Sequence, residues 1–289
     1  MNFETLLFEE TDSIAIISLN RPDKLNAFNQ VMLSDLLKAF DYCDDNDDIK
    51  AIIITGSGRA FCAGADLSSG KNTFNSEFDN SKQYHEDFNR DSGGILTLRM
   101  YKCLKPIITA CNGPAVGVGA TLQLAADIRV ASPKASFSFP FARRGIAPDA
   151  CSSWFLPKIV GISKALEWSY SGENISSLVA YENNLVGYIS EEDNLIDTSK
   201  KIASKFIGKS SSVSIAVTRQ MMWSLSSESS PEDAHIIDSK VIESRGSSKD
   251  AMEGVMSFLE KRLPKFTDQV SKDMPKAFPW RQTKFKKED

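Results

Sequence analysis

The sequence predicts an α/β core carrying a mostly helical C-terminal region, on three observations. Short runs rich in isoleucine and valine alternate with stretches of helical period from Ser13 to Phe139. From Asp149 onward the strand signals stop and helical periods take over. The chain of 289 residues is 42% hydrophobic and 25% charged, so it can bury a core without disulfides or metals as staples.

The elements follow in order. Ser13–Asn20 (SIAIISLN) reads as a strand that ends in the turn Asn20–Lys24. Asn29 is placed to cap a helix whose apolar positions are Met32, Leu33, Leu36, Leu37 and Phe40. An acidic break at Asp44–Asp48 precedes a buried strand, Lys50–Thr55, and a Gly-Ser-Gly turn at 56–58. Residues 68–94 are polar; they read as a mobile loop whose end leads into a helix near Ile95–Tyr101. Pro106–Cys111 is another apolar strand. Ala115–Ala126 is apolar nearly all round and reads as a buried helix. Short strands follow at Asp127–Ser132 and Ser136–Phe139. A helix from about Asp149 is expected to end at Pro157. Later helices are expected at Ser163–Tyr170, Asn194–Phe206, Val213–Leu225 and Pro231–Ser244. Asp250 with Glu253 resembles a capping box for a last helix through Lys261. The division expected is a core at 1–205 and a helical region at 206–289.

Several function classes are set aside by composition. A net charge of -4 gives no footprint for nucleic acid. No apolar run reaches membrane-span length, and the acidic start has no basic leader, so a cytoplasmic protein is expected. The five cysteines form no C-x-x-C pair and read as free thiols in a reducing compartment. The two histidines, His85 and His235, have no metal-ligand spacing, and neither a Gly-x-Ser-x-Gly elbow nor a Walker motif occurs. No metal or redox cofactor is expected.

Two small-residue clusters remain. Gly113, Gly117 and Gly119 follow a strand and open a helix, but without the Gly-x-Gly-x-x-Gly spacing of a dinucleotide site. The first turn of a helix carries N–H groups with no intrahelical partner, and these can hold a developing oxyanion. The second cluster, Phe61–Leu67, lets a ligand approach the main chain. One loop N–H facing one helix-start N–H makes a two-donor oxyanion hole; a tight turn and a closely packed helix explain the same glycines about as well.

Taken together the segments resemble the crotonase (enoyl-CoA hydratase/isomerase) superfamily. They are Asn20-Arg-Pro-Asp-Lys-Leu-Asn-Ala-Phe28, Gly56-Ser-Gly-Arg-Ala-Phe-Cys-Ala-Gly-Ala-Asp-Leu67, and Asn112-Gly-Pro-Ala-Val-Gly-Val-Gly-Ala120 with Ala126-Asp127. Gly145-Ile-Ala-Pro-Asp149, Ser153 to Gly161 and Phe258-Leu-Glu-Lys-Arg262 extend the match over about residues 5–265. The resemblance implies a crotonase-type spiral of strand-strand-helix repeats with a helical C-terminal region, an acyl-CoA thioester as substrate, and a homotrimer or dimer of trimers. It assigns the oxyanion donors to the N–H groups of Ala63 and Val118. It places Lys24, Ala27, Ala63, Gly64, Ala65, Asp66 and Leu67 along the CoA. Phe258 and Lys261 match positions that reach the CoA of a neighbouring subunit. Plainer readings stand beside these: an exposed turn lysine at 24, and an ordinary amphipathic helix with a core Phe258 and a solvated Lys261.

The departures are as informative. Hydratases of the family set two glutamates around a water; the matching positions here are Thr121 and Phe141, which cannot act as bases near neutral pH. Asp149 matches the carboxylate position of the family's isomerases. The resemblance is closest to Δ3,Δ2-enoyl-CoA isomerases, in which one carboxylate moves a proton along the acyl chain. A hydratase with a non-standard acid and base, a CoA-thioester-binding protein with little catalysis, and a hydrolase are the alternatives. Asp149 itself has a structural reading, as a cap at the start of the following helix.

Overall fold

The computed structural model describes residues 1–74, 84–85, 88–191 and 194–280. Its main layer is a six-stranded sheet in the order β1-β2-β3-β6-β8-β11. The strands are β1 (Leu6–Thr11), β2 (Ile14–Leu19), β3 (Ala51–Gly56), β6 (Ile107–Cys111), β8 (Ile128–Ala131) and β11 (Tyr188–Ile189). β1 pairs antiparallel with β2, and every later pairing is parallel. The central strands are covered on both faces, which is why AIIIT and IITAC are apolar without alternation. A second sheet, β10-β9-β7, is built from β7 (Pro114–Val116), β9 (Ser136–Ser138) and β10 (Ile175–Ser176). A short hairpin joins β4 (Tyr84–His85) to β5 (Phe88–Asn89).

Helix α1 (Gln30–Asp45) starts where the sequence places it: the Asn29 side chain accepts from the Met32 N–H at 2.9 Å. Its buried residues Met32, Leu33, Leu36 and Phe40 face the main core. Helix α2 (Ser92–Lys102) packs on α1. Short helix α3 (Val118–Thr121), then α4 (Ser152–Val160), α5 (Ile162–Ser171) and α6 (Ser177–Glu182) complete the spiral. α7 (Leu195–Ala203) covers the opposite sheet face with Leu195, Ile202 and Ala203. α8 (Ser212–Leu225), α9 (Pro231–Gly246) and α10 (Lys249–Leu259) form the C-terminal region.

One bond network ties α8 to the spiral. Arg219, only 6% exposed, donates to the Asp127 carboxylate at 2.8 Å and to the carbonyls of Met100, Tyr101 and Cys103. Trp223 donates to the other Asp127 oxygen at 2.7 Å.

Three expectations are corrected and one strand is added. Ala115–Ala126 is not one helix: its start is strand β7, and Gly117 at φ +53 turns the chain into α3 and a 3-10 turn at Leu122–Ala125. Pro157 lies inside α4 rather than ending it; the carbonyl deprived of its bond belongs to exposed Ser153, and Gly161 ends the helix at φ +78. Ser248, not Asp250, caps α10, accepting from the Ala251 N–H; buried Asp250 instead accepts from the Thr267 and Asp268 N–H groups. Strand β1 adds an edge that the sequence reading did not include. Much of the loop expected at 68–94 (residues 75–83 and 86–87) lies outside the described residues.

Candidate active site

Three backbone segments converge. The turn after β2 is set by Asn26, fully buried and at φ +56. Its side chain accepts from the Arg21 N–H at 2.8 Å and donates to the Ser57 and Ala60 carbonyls, each at 2.9 Å. Arg21 reaches across to Asp66 at 2.8 Å, which holds that carboxyl below the usual carboxylate range. The loop 61–67 is stitched to this turn and to β7. Phe28 N–H donates to the Gly64 carbonyl and Asp66 N–H to the Phe28 carbonyl, both at 2.8 Å. Val116 N–H donates to the Cys62 carbonyl at 3.0 Å. A side chain at Gly119 would occupy the place of that Cys62 carbonyl, so the glycine is what lets the helix start lie against the loop.

The donor expected at Ala63 is spent. Its N–H bonds the Leu25 carbonyl at 3.0 Å, presented by a residue at φ +51. The Ala65 N–H, two residues on, is differently placed. The Phe28 bridge uses the groups of Gly64 and Asp66, so by strand alternation the Ala65 N–H points away from Phe28. It meets no acceptor among the described residues. The Val118 N–H likewise meets none among the described residues: it is the first N–H of α3, where no preceding turn supplies an acceptor.

Asp149 is where the sequence puts a carboxylate, but it is no helix cap. The residue at the α4 cap position is Cys151, without a side-chain cap bond. The Asp149 carboxylate accepts instead from the hydroxyl of fully buried Thr121, at 2.8 Å. Burial pushes its pKa up to about 7, with the Asp91 charge adding in the same direction. The Thr121 hydrogen bond stabilises the anion and opposes the shift. Such a carboxyl exchanges protons near neutrality. Phe141 is buried at the other position where hydratases carry a glutamate.

The remaining candidates are placed as follows. Gly64 is buried at φ +105, and Ala27 offers its carbonyl to Arg21. Lys24 is exposed at the end of a 3-10 turn, and Leu67 is exposed at the start of another. Phe258 lies in the last turn of α10, which packs on α9, and Lys261 in the turn that follows it; Phe258 is 82% exposed and is therefore not a core residue of this chain. Among the described residues there is no cluster of metal-ligating side chains, and no helix is long and apolar enough to cross a membrane.

The model of the enoyl-CoA hydratase/isomerase family matches residues 9–269. The chain belongs to this family. It is 38% identical over 266 residues to enoyl-CoA hydratase ACTT3 of Alternaria alternata, covering 90% of this chain and 85% of that protein. It is 31% identical over 265 residues to 1,2-epoxyphenylacetyl-CoA isomerase of Escherichia coli, covering 91% and 98%. The crystal structure of enoyl-CoA hydratase from Bacillus anthracis superposes with a TM-score of 0.81 at 26% identity, over 91% of this chain and 99% of that one. The crotonase fold and an acyl-CoA-processing enzyme of hydratase/isomerase type follow from membership.

Sequence reasoning passed over two side chains at this crotonase site. Asp91 accepts from the N–H groups of Gly93, Gly94 and Ala150, and Thr97 donates to the Ala150 carbonyl. Asp91-Ser-Gly-Gly has the form of a helix cap, which is the signal that could have found the first. No local pattern marks the second.

Proposed function

We propose that the chain is an enoyl-CoA isomerase that moves a double bond along the acyl chain, with Asp149 as the proton carrier. The thioester carbonyl oxygen would accept from the Ala65 and Val118 N–H groups. Asp149, ionised, removes a proton from C2; the electrons pass through the enolate held by the two donors; the same proton returns at C4 as the double bond settles between C2 and C3. One carboxylate suffices for this, whereas syn or anti addition of water needs a base for the water and an acid for carbon. The observation that carries the reading is the Thr121–Asp149 pair: the position of the hydratase base holds a hydroxyl already committed to the carboxylate, with a pKa near 7.

The name of the Alternaria relative favours a second reading, hydration of a 2-enoyl-CoA. Mass spectrometry of the products from a 3-enoyl-CoA and a 2-enoyl-CoA separates the two. Isomerisation leaves the mass unchanged and moves the double bond; hydration adds one water to the 2-enoyl substrate. Release of free CoA would mark a hydrolase.

The proposal includes self-assembly into trimers through the C-terminal helices. Met252, Val255, Phe258 and Leu259 on α10 are all exposed in the single chain, an apolar face of the kind that interfaces cover. A monomer in light scattering at assay concentration would argue against it.

A further inference from the structure

We propose that Asp91 and Thr97, both contributed by the α2 segment, are positioning residues that hold Asp149 by gripping both polar backbone groups of Ala150. The inference rests on the reading of Asp149 as proton carrier.

The turn that carries Asp149 is held in an uncommon conformation. Ala150 and Cys151 are consecutive non-glycine residues with positive φ, +52 and +56. L-residues avoid this region because Cβ crowds the following carbonyl, and such residues persist where their surroundings over-determine them. The surroundings here are α2. Asp91 Oδ2 accepts from Ala150 N–H at 2.7 Å and from Gly94 N–H at 2.7 Å, while Oδ1 accepts from Gly93 N–H at 3.1 Å. One carboxylate thus caps α2 and fixes the turn. The buried Thr97 hydroxyl, one turn further along α2, donates to the Ala150 carbonyl at 3.0 Å.

The contact extends to the oxyanion donor. A Cβ at Gly93 would stand 3.0 Å from the Ala150 methyl and 3.2 Å from Val118 Cγ2. The start of α2 therefore touches both the turn below the base and the residue whose N–H faces the thioester. A hydrogen-bonded rod with two such contacts sets where the base stands relative to the donors, and small displacements of a reacting group are expensive in rate.

Asp91 has a second effect, through its charge. Among the described residues, the ionisable groups acting on this turn are Asp91 at the start of α2, its neighbour Arg90, the Cys62 thiol from the loop 61–67 and the Cys151 thiol of the turn itself. Of these, Asp91 is the one that opposes ionisation of Asp149.

The test uses Asp91→Asn, Thr97→Val and Thr97→Ser in the full chain, each checked for folding by circular dichroism, with Thr97→Ala in place of Thr97→Val if the latter does not fold. Thr97→Val is expected to lower kcat about 10- to 100-fold with KM changed little, and Thr97→Ser to restore it. Asp91→Asn is expected to lower kcat and to move the Asp149 titration down. That titration is followed both in the kcat–pH profile and by carbon-13 NMR of the labelled carboxyl. The NMR reading does not depend on turnover. If Asp149→Asn keeps full activity, the isomerase reading fails while the NMR titration still reports whether Asp91 acts on Asp149. Parental kcat in Thr97→Val, or an Asp149 titration unmoved in Asp91→Asn, overturns the proposal.

Discussion

Replacing Asp149 by asparagine should stabilise the protein at pH 8 while removing its turnover. The carboxyl ionises near its ordinary value of 3.8 in the unfolded chain and at about 7 when folded. Between those values the folded protein retains a proton that the unfolded chain has released. Stability contributed by this group therefore falls as pH rises from about 4 to about 7, and the cost is complete above 7. A difference of about three units, at ~1.4 kcal/mol each, sets a ceiling of ~4 kcal/mol. The side chain is not fully enclosed, so solvent relaxation reduces the cost, and about 2 kcal/mol is expected. Asparagine keeps the shape and an oxygen for the Thr121 hydroxyl but never ionises. Urea denaturation of parent and variant at equal protein concentration, at pH 4.5 and pH 8, reads the effect. The variant should exceed the parent by about 1 kcal/mol at the lower pH, where the unfolded carboxyl is already mostly ionised, and by more at the higher. An equal difference at both pH values would refute the raised pKa and, with it, the argument that Asp149 can trade protons near neutrality.

Other outcomes follow from the same geometry. Parental kcat should rise with pH through about 7, because the base must be ionised, and a flat profile from pH 5 to 9 would remove Asp149 from the chemistry. Gly93→Ala should lower kcat more than it lowers the melting temperature, since its methyl would press on Ala150 and Val118; steady-state kinetics and thermal melts compare the two. Arg219→Met should cost about 3–5 kcal/mol in urea denaturation, because Asp127 loses its buried ion-pair partner while the carbonyls of Met100, Tyr101 and Cys103 each lose one of their donors. Asn26→Ala, which abolishes three hydrogen bonds at a fully buried turn, should cost about 2–3 kcal/mol in the same assay.

What could be read from the sequence was whatever local pattern alone determines. SIAIISLN, KAIIIT and PIITAC became β2, β3 and β6 because apolar runs bounded by turn residues have few other uses. Asn29 capped α1 as expected because a cap depends on its own next three residues. The errors arose where distant segments decide. Whether the Ala63 or the Ala65 N–H is free depends on the Leu25 carbonyl, thirty-eight positions away from Ala63 along the chain. Whether 115–126 is one helix depends on β9, which pairs with β7 and takes the Gly117 N–H through Ser138. That Asp149 stands beside Thr121 was implied by the resemblance. Its freedom from capping duty was not, because that is settled by Thr121 on another element.

Helix α2 is a strut pinned at both ends. Its eleven residues span about 16 Å. At one end its last carbonyls and the residues just beyond are held by Arg219 of the C-terminal region. At the other, its cap is shared with the turn that bears Asp149. A hydrogen-bonded helix is stiff along its axis, so one rigid element joins the α8 contact to the Ala150 turn. Distance from the thioester is then a poor guide to which substitutions are silent. The buried face of α8, through Arg219, shares a helix with the turn that bears Asp149.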